Sequence, residues 1–277
     1  MRKTTYRIAA AVAAAALALT ACGGDSGSSA GGDSKKIKIG TKFDQPGLGL
    51  KEGDNMTGFD VDVAKAVAKK LGYEENQIEW VESPSPQRET MLDAGTVDLI
   101  FATYSITDKR KEKVQFGGPY LVAGQDLLVR ADDTEITGPD ALTGKVLCSV
   151  SGSTPAEKIA KEYPGVQLQE YDTYSLCVEA LAAGQVQALT TDDAILAGYA
   201  AQEKWAGQFK LVGKPFSEEL YGVGVKKGSD LCEKVNTALT ELFDDGSMDK
   251  IVADNLGPAN YTPNPATNPA KPGGHCG

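Results

Sequence analysis

The chain has 277 residues, 41% of them hydrophobic and 24% charged, and a formal charge of −10 at neutral pH. That acidity argues against binding nucleic acid and against an electrostatic grip on anionic lipid, both of which need a surplus of cations. The single histidine, His275, lies two residues from the last position, so a Ser-His-Asp triad, a Cys-His dyad or a His-ligated catalytic metal is hard to build.

Arg2, Lys3 and Arg7 precede an apolar run from Ile8 to Ala18, and Leu19-Thr20-Ala21-Cys22 follows. This is the order of an export signal, here residues 1–21, and it is too short to span a bilayer core, which takes roughly 20 apolar residues. Leu19 to Cys22 resembles the lipobox of bacterial lipoproteins, in which the cysteine is diacylated and becomes the new N-terminus. The resemblance implies lipidation of Cys22 and a cell-membrane location on the extracellular face, since two acyl chains anchor stably. Loss of the signal removes three cations and takes the formal charge from −10 to −13. Residues 22–35 are Gly/Ser-rich and read as a flexible linker, whereas residues 258–277 hold Pro258, Pro263, Pro265, Pro269 and Pro272 and are expected to lack regular structure.

Roughly 225 residues are left to fold, enough for one or two cores. Lys36–Gly40 alternates as a short strand. Asp60–Leu71 places Val63, Val67 and Leu71 on one helical face, with Asp60 and Asp62 at its start and Gly72 just past its end. Gln77–Val81 follows as a strand, Gln87–Ala94 as a helix stopped by Gly95, and Val97–Tyr104 as a nearly continuous apolar strand. A second alternating series runs through strand Lys145–Val150, helix Pro155–Tyr163, strand Val166–Tyr171, helix Tyr174–Ala183, strand Ala188–Thr191, helix Asp193–Gln202 and strand Phe209–Val212. Extended segments around Phe116–Tyr120 with Leu127–Val129, and around Pro215–Phe216 with Tyr221 and Val223–Val225, flank that second unit. Helices Leu231–Phe243 and Met248–Leu256 then return to the first. The class is therefore α/β, in two lobes joined by two crossover strands that form a hinge, with ligand in the interlobe cleft. Residues 36–126 make the first part of lobe 1, 127–220 lobe 2, and 221–257 the return segment.

Four cysteines lie beyond the lipobox, in a compartment where disulfides persist, and their spacing lacks the paired pattern of a zinc site. Four cysteines allow three pairings. The favoured one joins Cys148 to Cys177 within lobe 2 and Cys232 to Cys276, which would pin the tail to the body.

The run Gly58-Phe-Asp-Val-Asp-Val-Ala-Lys-Ala-Val-Ala-Lys-Lys-Leu71 resembles the signature of the family 3 solute-binding proteins, which deliver polar amino acids to ABC importers. The likeness extends through Gly95–Ile100, Ser105–Arg110 and Gly152–Thr154, and covers about residues 36 to 257. Within the family, Gly40–Gly47 and Thr190–Leu196 look most like actinobacterial glutamate-binding lipoproteins. The resemblance implies a type II periplasmic-binding-protein fold, capture of glutamate, and delivery to membrane permease subunits by a monomer, with no cofactor, no metal and no catalysis. The alternatives are another polar amino acid, such as glutamine or aspartate, or a ligand sensor for a signalling partner. The same fold hosts a few dehydratases, but no pair of acids is singled out for general acid–base work.

Each part of a zwitterionic amino acid needs a partner before it can leave water. Arg110 supplies a planar fork for the α-carboxylate, just after Thr107 at a helix start, and the resemblance places Thr103 and Ser105 beside it. Ser153-Thr154-Pro155 opens a helix after a strand and offers a second donor site across the hinge. The register of the Thr190-Thr-Asp match puts Asp192 where the family has its acceptor for the amino group, with Thr103 nearby. For the side chain, Arg88 matches the arginine that meets the distal carboxylate in acidic-amino-acid binders. Lys42 and Gln45 can line the same pocket, and Phe43 or Tyr104 can cover the aliphatic stem.

Overall fold

The computed structural model describes residues 35–277; the expected signal peptide, Cys22 and nearly all of the linker lie outside the described residues. Strand β1 (Ile37–Thr41) is followed by three short strands, β2 (Asp44–Gln45), β3 (Gly49–Glu52) and β4 (Asn55–Thr57), which form a small antiparallel sheet of their own. Runs of two to four residues leave no alternation long enough to read from sequence. Helix α1 (Phe59–Lys70) buries Phe59, Val63, Ala64 and Val67, and ends in Lys69 and Lys70, cations that suit the negative end of its dipole. Gly58 precedes it at φ +120°, where a Cβ would lie 2.3 Å from the Leu48 carbonyl oxygen, so only glycine can turn the chain into this helix.

Next come β5 (Ile78–Glu82), α2 (Arg88–Asp93) and β6, which is confined to Leu99–Ile100. The expected strand over Val97–Tyr104 is therefore cut short. Residues Phe101 to Tyr104 are all buried, so the apolar run reports burial, while Thr103 at φ +45° takes the backbone out of the sheet. After α3 (Asp108–Lys111), β7 (Val114–Ala123) completes lobe 1 on the outward path.

The chain changes sheets at Gly124. Lobe 2 comprises β8 (Gln125–Arg130), β9 (Val146–Val150), α4 (Thr154–Glu162), β10 (Gln167–Tyr171), α5 (Tyr174–Ala182), β11 (Ala188–Asp192), α6 (Asp193–Ala200) and β12 (Phe209–Leu211). Residues 212–218 cross back to β13 (Glu219–Lys226), and α7 (Leu231–Asp244) and α8 (Ser247–Leu256) pack on lobe 1. The two five-stranded sheets have matching logic: β5-β1-β6-β13-β7 and β10-β9-β11-β8-β12. In each, parallel strands from the βαβ series meet antiparallel strands at one side. Ala123 and Glu219 are paired, so both crossings lie side by side.

Disulfides join Cys148 to Cys177, from β9 to α5, and Cys232 to Cys276, from α7 to the tail. Apart from one 3₁₀ turn at Gly257–Ala259, the tail has no helix or strand, yet it is held in place. It runs along the outer edge of β7: Phe116 donates its N–H to the His275 carbonyl at 3.0 Å and Gly273 donates to Gly118 at 2.8 Å. The Asn268 amide brackets Val122, accepting its N–H at 3.1 Å and donating to its carbonyl at 2.9 Å. An edge strand is thus covered rather than left open to pairing with another chain.

Candidate functional site

A narrow cleft with about 10 Å³ of open volume lies between the lobes, lined by Gln45, Ser85, Arg88, Thr103 and Arg110 from lobe 1 and by Ser153, Thr154, Pro155, Tyr174, Thr191, Asp192 and Ile195 from lobe 2. Its geometry follows from the order of elements. Strands β9, β10 and β11 end on one side of their sheet, and the helices that follow begin there with Thr154, Tyr174 and Asp193. Three helix N-termini therefore converge on the cleft, each with first-turn N–H groups that have no intrahelical acceptor. The Ser153 hydroxyl caps α4 through the Ala156 N–H at 3.2 Å, and Thr173 caps α5 through Leu176.

The lobe 1 wall is cationic. Arg110, 8% exposed, donates through Nη1 to the Ser105 carbonyl at 2.8 Å and through Nη2 across the cleft to the Gly152 carbonyl at 3.2 Å. Its Nε lies 3.5 Å from Glu89 Oε1. Arg88, 3% exposed, donates through Nε to the Ser83 carbonyl at 3.3 Å. Both guanidinium carbons stand 4.9–5.0 Å from the centre of the Tyr104 ring, whose hydroxyl donates to Glu89 Oε1 at 2.7 Å. Burial, and then the like charge of Arg110, lower the proton affinity of Arg88. A guanidinium keeps its proton regardless, so two cations share one face of the cleft. Thr103 is fixed in its left-handed conformation from beneath: its N–H donates to Asp60 Oδ2 at 2.7 Å, and Tyr120 donates to the other oxygen at 2.7 Å. Burial raises the pKa of Asp60 from 3.8 to about 6, against the pull of those two bonds.

The opposite wall is anionic. Asp192 is 2% exposed; its Oδ2 accepts from the Tyr221 hydroxyl of β13 at 2.7 Å, and its Oδ1 is buried without a partner. Burial first and the Glu219 carboxylate second push its pKa well above the ordinary carboxylate value, while the Tyr221 hydrogen bond opposes them. A buried carboxylate with one unmet oxygen can serve as a cation acceptor.

Of the residues expected from sequence, Arg110, Thr103, Ser153, Thr154, Asp192, Arg88 and Gln45 are brought together around this cleft. Ser105 stands just behind, its hydroxyl 3.2 Å from that of Thr154. Tyr104 forms the platform under the two arginines rather than a cover. Lys42 and Phe43 do not line the cleft: Lys42 is buried with its Nζ 3.3 Å from Asp44, and the Phe43 ring lies under Lys51 Nζ at 4.9 Å. Tyr174, Thr191, Ser85 and Ile195 line it without having been singled out. Tyr174 was accessible to the rule that found Thr154, since it too opens a helix after a strand and a Thr cap.

Other bonds join the lobes outside the cleft. Tyr199 of α6 donates to Asp44, with its oxygen 2.5 Å from the backbone carbonyl and 3.0 Å from Oδ2, and Lys109 pairs with Glu157 at 2.6 Å.

Residues 37–258 match the model of the bacterial extracellular solute-binding proteins, family 3. The glutamate-binding protein GluB of Corynebacterium glutamicum is 50% identical over 274 residues, which cover 92% of each chain. The ABC transporter glutamine-binding protein GlnH of Bacillus subtilis is 38% identical over 222 residues, covering 79% of this chain and 80% of that one. Among solved structures, an ancestral arginine-binding protein bound to arginine superposes with a TM-score of 0.75 at 35% identity, over 80% of this chain and 99% of the other. The chain belongs to the bacterial extracellular solute-binding proteins of family 3, and is a binding protein rather than an enzyme.

Proposed function

We propose that the chain is a lipid-anchored receptor that captures glutamate outside the cell and passes it, as a monomer, to an ABC permease. The observation that carries the specificity is the second buried cation. Arg88 and Arg110 stand over one aromatic ring, with Asp192 on the facing lobe. Two cations and one anion complement two carboxylates and one ammonium. In this reading Arg110 and the Thr154 N–H at the start of α4 receive the α-carboxylate, Asp192 Oδ1 receives the ammonium, and Arg88 receives the distal carboxylate. The same charges disfavour arginine, whose cationic head would face Arg88 unpaired. The glutamate-binding relative at 50% identity supports the same choice.

Titration calorimetry of residues 35–277 against the twenty amino acids tests this. Glutamate is expected to bind most tightly. Clear heat with glutamine, lysine or histidine and none with glutamate would sink the specificity, and silence from all twenty would sink the reading of the cleft. The anchor has its own test: a Cys22→Ala chain expressed in the source cell should be released from membranes into the medium, and retention of that variant would refute lipidation at Cys22.

A further inference from the structure

Glu219, the first residue of the returning strand, is a carboxylate only 6% exposed, yet it takes no part in the charge matching described above. Its surroundings are specific. Thr154 Oγ1, at the start of α4 in lobe 2, donates to Glu219 Oε2 at 2.8 Å. Ser217 Oγ, in the crossing segment, donates to Glu219 Oε1 at 2.9 Å and itself accepts the Gln125 N–H at 3.1 Å, so both crossings are tied at this point. Glu219 and Tyr221 lie on one face of β13, and Tyr221 bonds Asp192, which makes this face the seam between the returning strand and lobe 2.

Proton counting then decides what Thr154 can do. A threonine hydroxyl has one proton, and the Glu219 carboxylate takes it. The neighbouring Ser105 hydroxyl, 3.2 Å from Thr154 Oγ1, must therefore donate to it, so neither proton is free for a ligand carboxylate. The backbone N–H of Thr154, at the first position of α4, has no intrahelical acceptor, and Thr154 lines the cleft.

We propose that Glu219 is a positioning residue for ligand capture: by accepting the Thr154 hydroxyl proton in a hydrogen bond when the lobes meet, it ties the start of α4 to the hinge and leaves the Thr154 backbone N–H, not that hydroxyl, to receive the α-carboxylate. Ser105, Thr154 and Glu219 come from lobe 1, lobe 2 and the returning strand, so the chain of bonds exists only with the lobes together. Glu219 thus favours the form that holds ligand without touching it. This rests on the reading of the cleft as an amino-acid site.

The test is calorimetry and stopped-flow dissociation with glutamate on residues 35–277 carrying Glu219→Ala, Glu219→Gln, Thr154→Val or Glu219→Ala with Thr154→Val. Glu219→Ala and Thr154→Val should each weaken binding about tenfold, mainly through faster dissociation, as loss of a charge-assisted hydrogen bond does. The double variant should be no weaker than the weaker single one. Glu219→Gln keeps an acceptor oxygen and should restore most of the affinity, while the ligand-free melting temperature stays constant across the set. Additive losses, a Glu219→Ala chain that binds like wild type, or a melting temperature that falls in step with affinity would each overturn the proposal. Failure of the wild-type chain to bind any amino acid would overturn the cleft reading as well; wild-type binding with indifferent Glu219 variants overturns this inference alone.

Discussion

Gly198 offers a clean separation of folding from closure. It lies inside α6, and a Cβ built there would stand 2.1 Å from the Pro46 carbonyl oxygen of lobe 1, against 3.4 Å for ordinary contact. The obstruction is backbone, so no rotamer change relieves it, and Gly198→Ala must hold the lobes roughly an ångström apart at this point. Forced packing of this size costs about 1–3 kcal/mol, which predicts binding about tenfold to a hundredfold weaker for glutamate and glutamine alike. The clash exists only with the lobes together. In the open form alanine is the better helix residue by about 1 kcal/mol, worth about 2–4 °C in a domain of this size. The expected pair of results is weaker binding by calorimetry and an unchanged or raised ligand-free melting temperature by scanning calorimetry. Wild-type affinity in Gly198→Ala would show that bound lobes do not bring α6 onto Pro46. A sharp fall in ligand-free melting temperature would show that the contact belongs to the resting fold and not to closure.

Arg110→Ala should abolish binding of every amino acid, whereas Arg88→Met should weaken glutamate at least about tenfold more than glutamine, since only glutamate brings a charge to that position; equal losses for the two ligands would remove Arg88 from the distal site. Glutamate affinity should fall on acidification as pH passes down through the raised pKa of Asp192, because the ammonium needs the ionised carboxylate; an affinity constant down to the ordinary carboxylate range would contradict the assignment. For Asp60 the sign concerns stability. Its pKa is raised from 3.8 to about 6, so the folded state holds the proton more tightly; that contribution is complete below the unfolded value and is lost as pH rises through about 6. It amounts to about 3 kcal/mol, and carbonyl-carbon NMR titration of Asp60 with a midpoint below 4 would refute it. Replacing Cys148 and Cys177 by serine opens a loop with a sequence separation of 29 and should cost about 3.5 kcal/mol in denaturant unfolding, a figure a loss below about 1 kcal/mol would contradict.

How far the site could be read from sequence depended on whether a residue's role left a local trace. The helices of both lobes did, because apolar spacing and terminal charges are local: α1 was expected at Asp60–Leu71 and runs Phe59–Lys70. The helix-start rule also carried Thr154 to the cleft, because a strand that ends beside a cap points its helix dipole at whatever lies in front, whereas Asp192 came from the register of the family resemblance. Val97–Tyr104 misled because apolarity reports burial and not extension, and the turn at Thr103 is imposed by Asp60, 43 residues earlier in the chain. Lys42 looked like a pocket cation because it follows a strand, but its charge is met by Asp44 two residues on. Glu219 left no trace at all. An acid next to Glu218, between Pro215 and Tyr221, looks like any solvated loop acid until the crossing brings Thr154 and Ser217 to it.

The bonds between lobes fall into two kinds, and their opposition explains how such a receptor can both hold and release. Lys109 with Glu157, Asp44 with Tyr199 and the Ser105–Thr154–Glu219 series favour the closed form whether or not ligand is present. Against them stand groups buried with their charge unmet: Asp192 with one oxygen lacking a partner, and Arg88, disfavoured first by burial and then by the like charge of Arg110 beside it on lobe 1. An unpaired buried polar atom alone costs about 1–3 kcal/mol, comparable to what one or two of the interlobe bonds return. A ligand whose ammonium meets Asp192 and whose two carboxylates meet the arginines removes the opposing set, and only then do the interlobe bonds act unopposed. Selectivity and closure are on this account one event, because a ligand lacking either charge leaves part of the opposition in place.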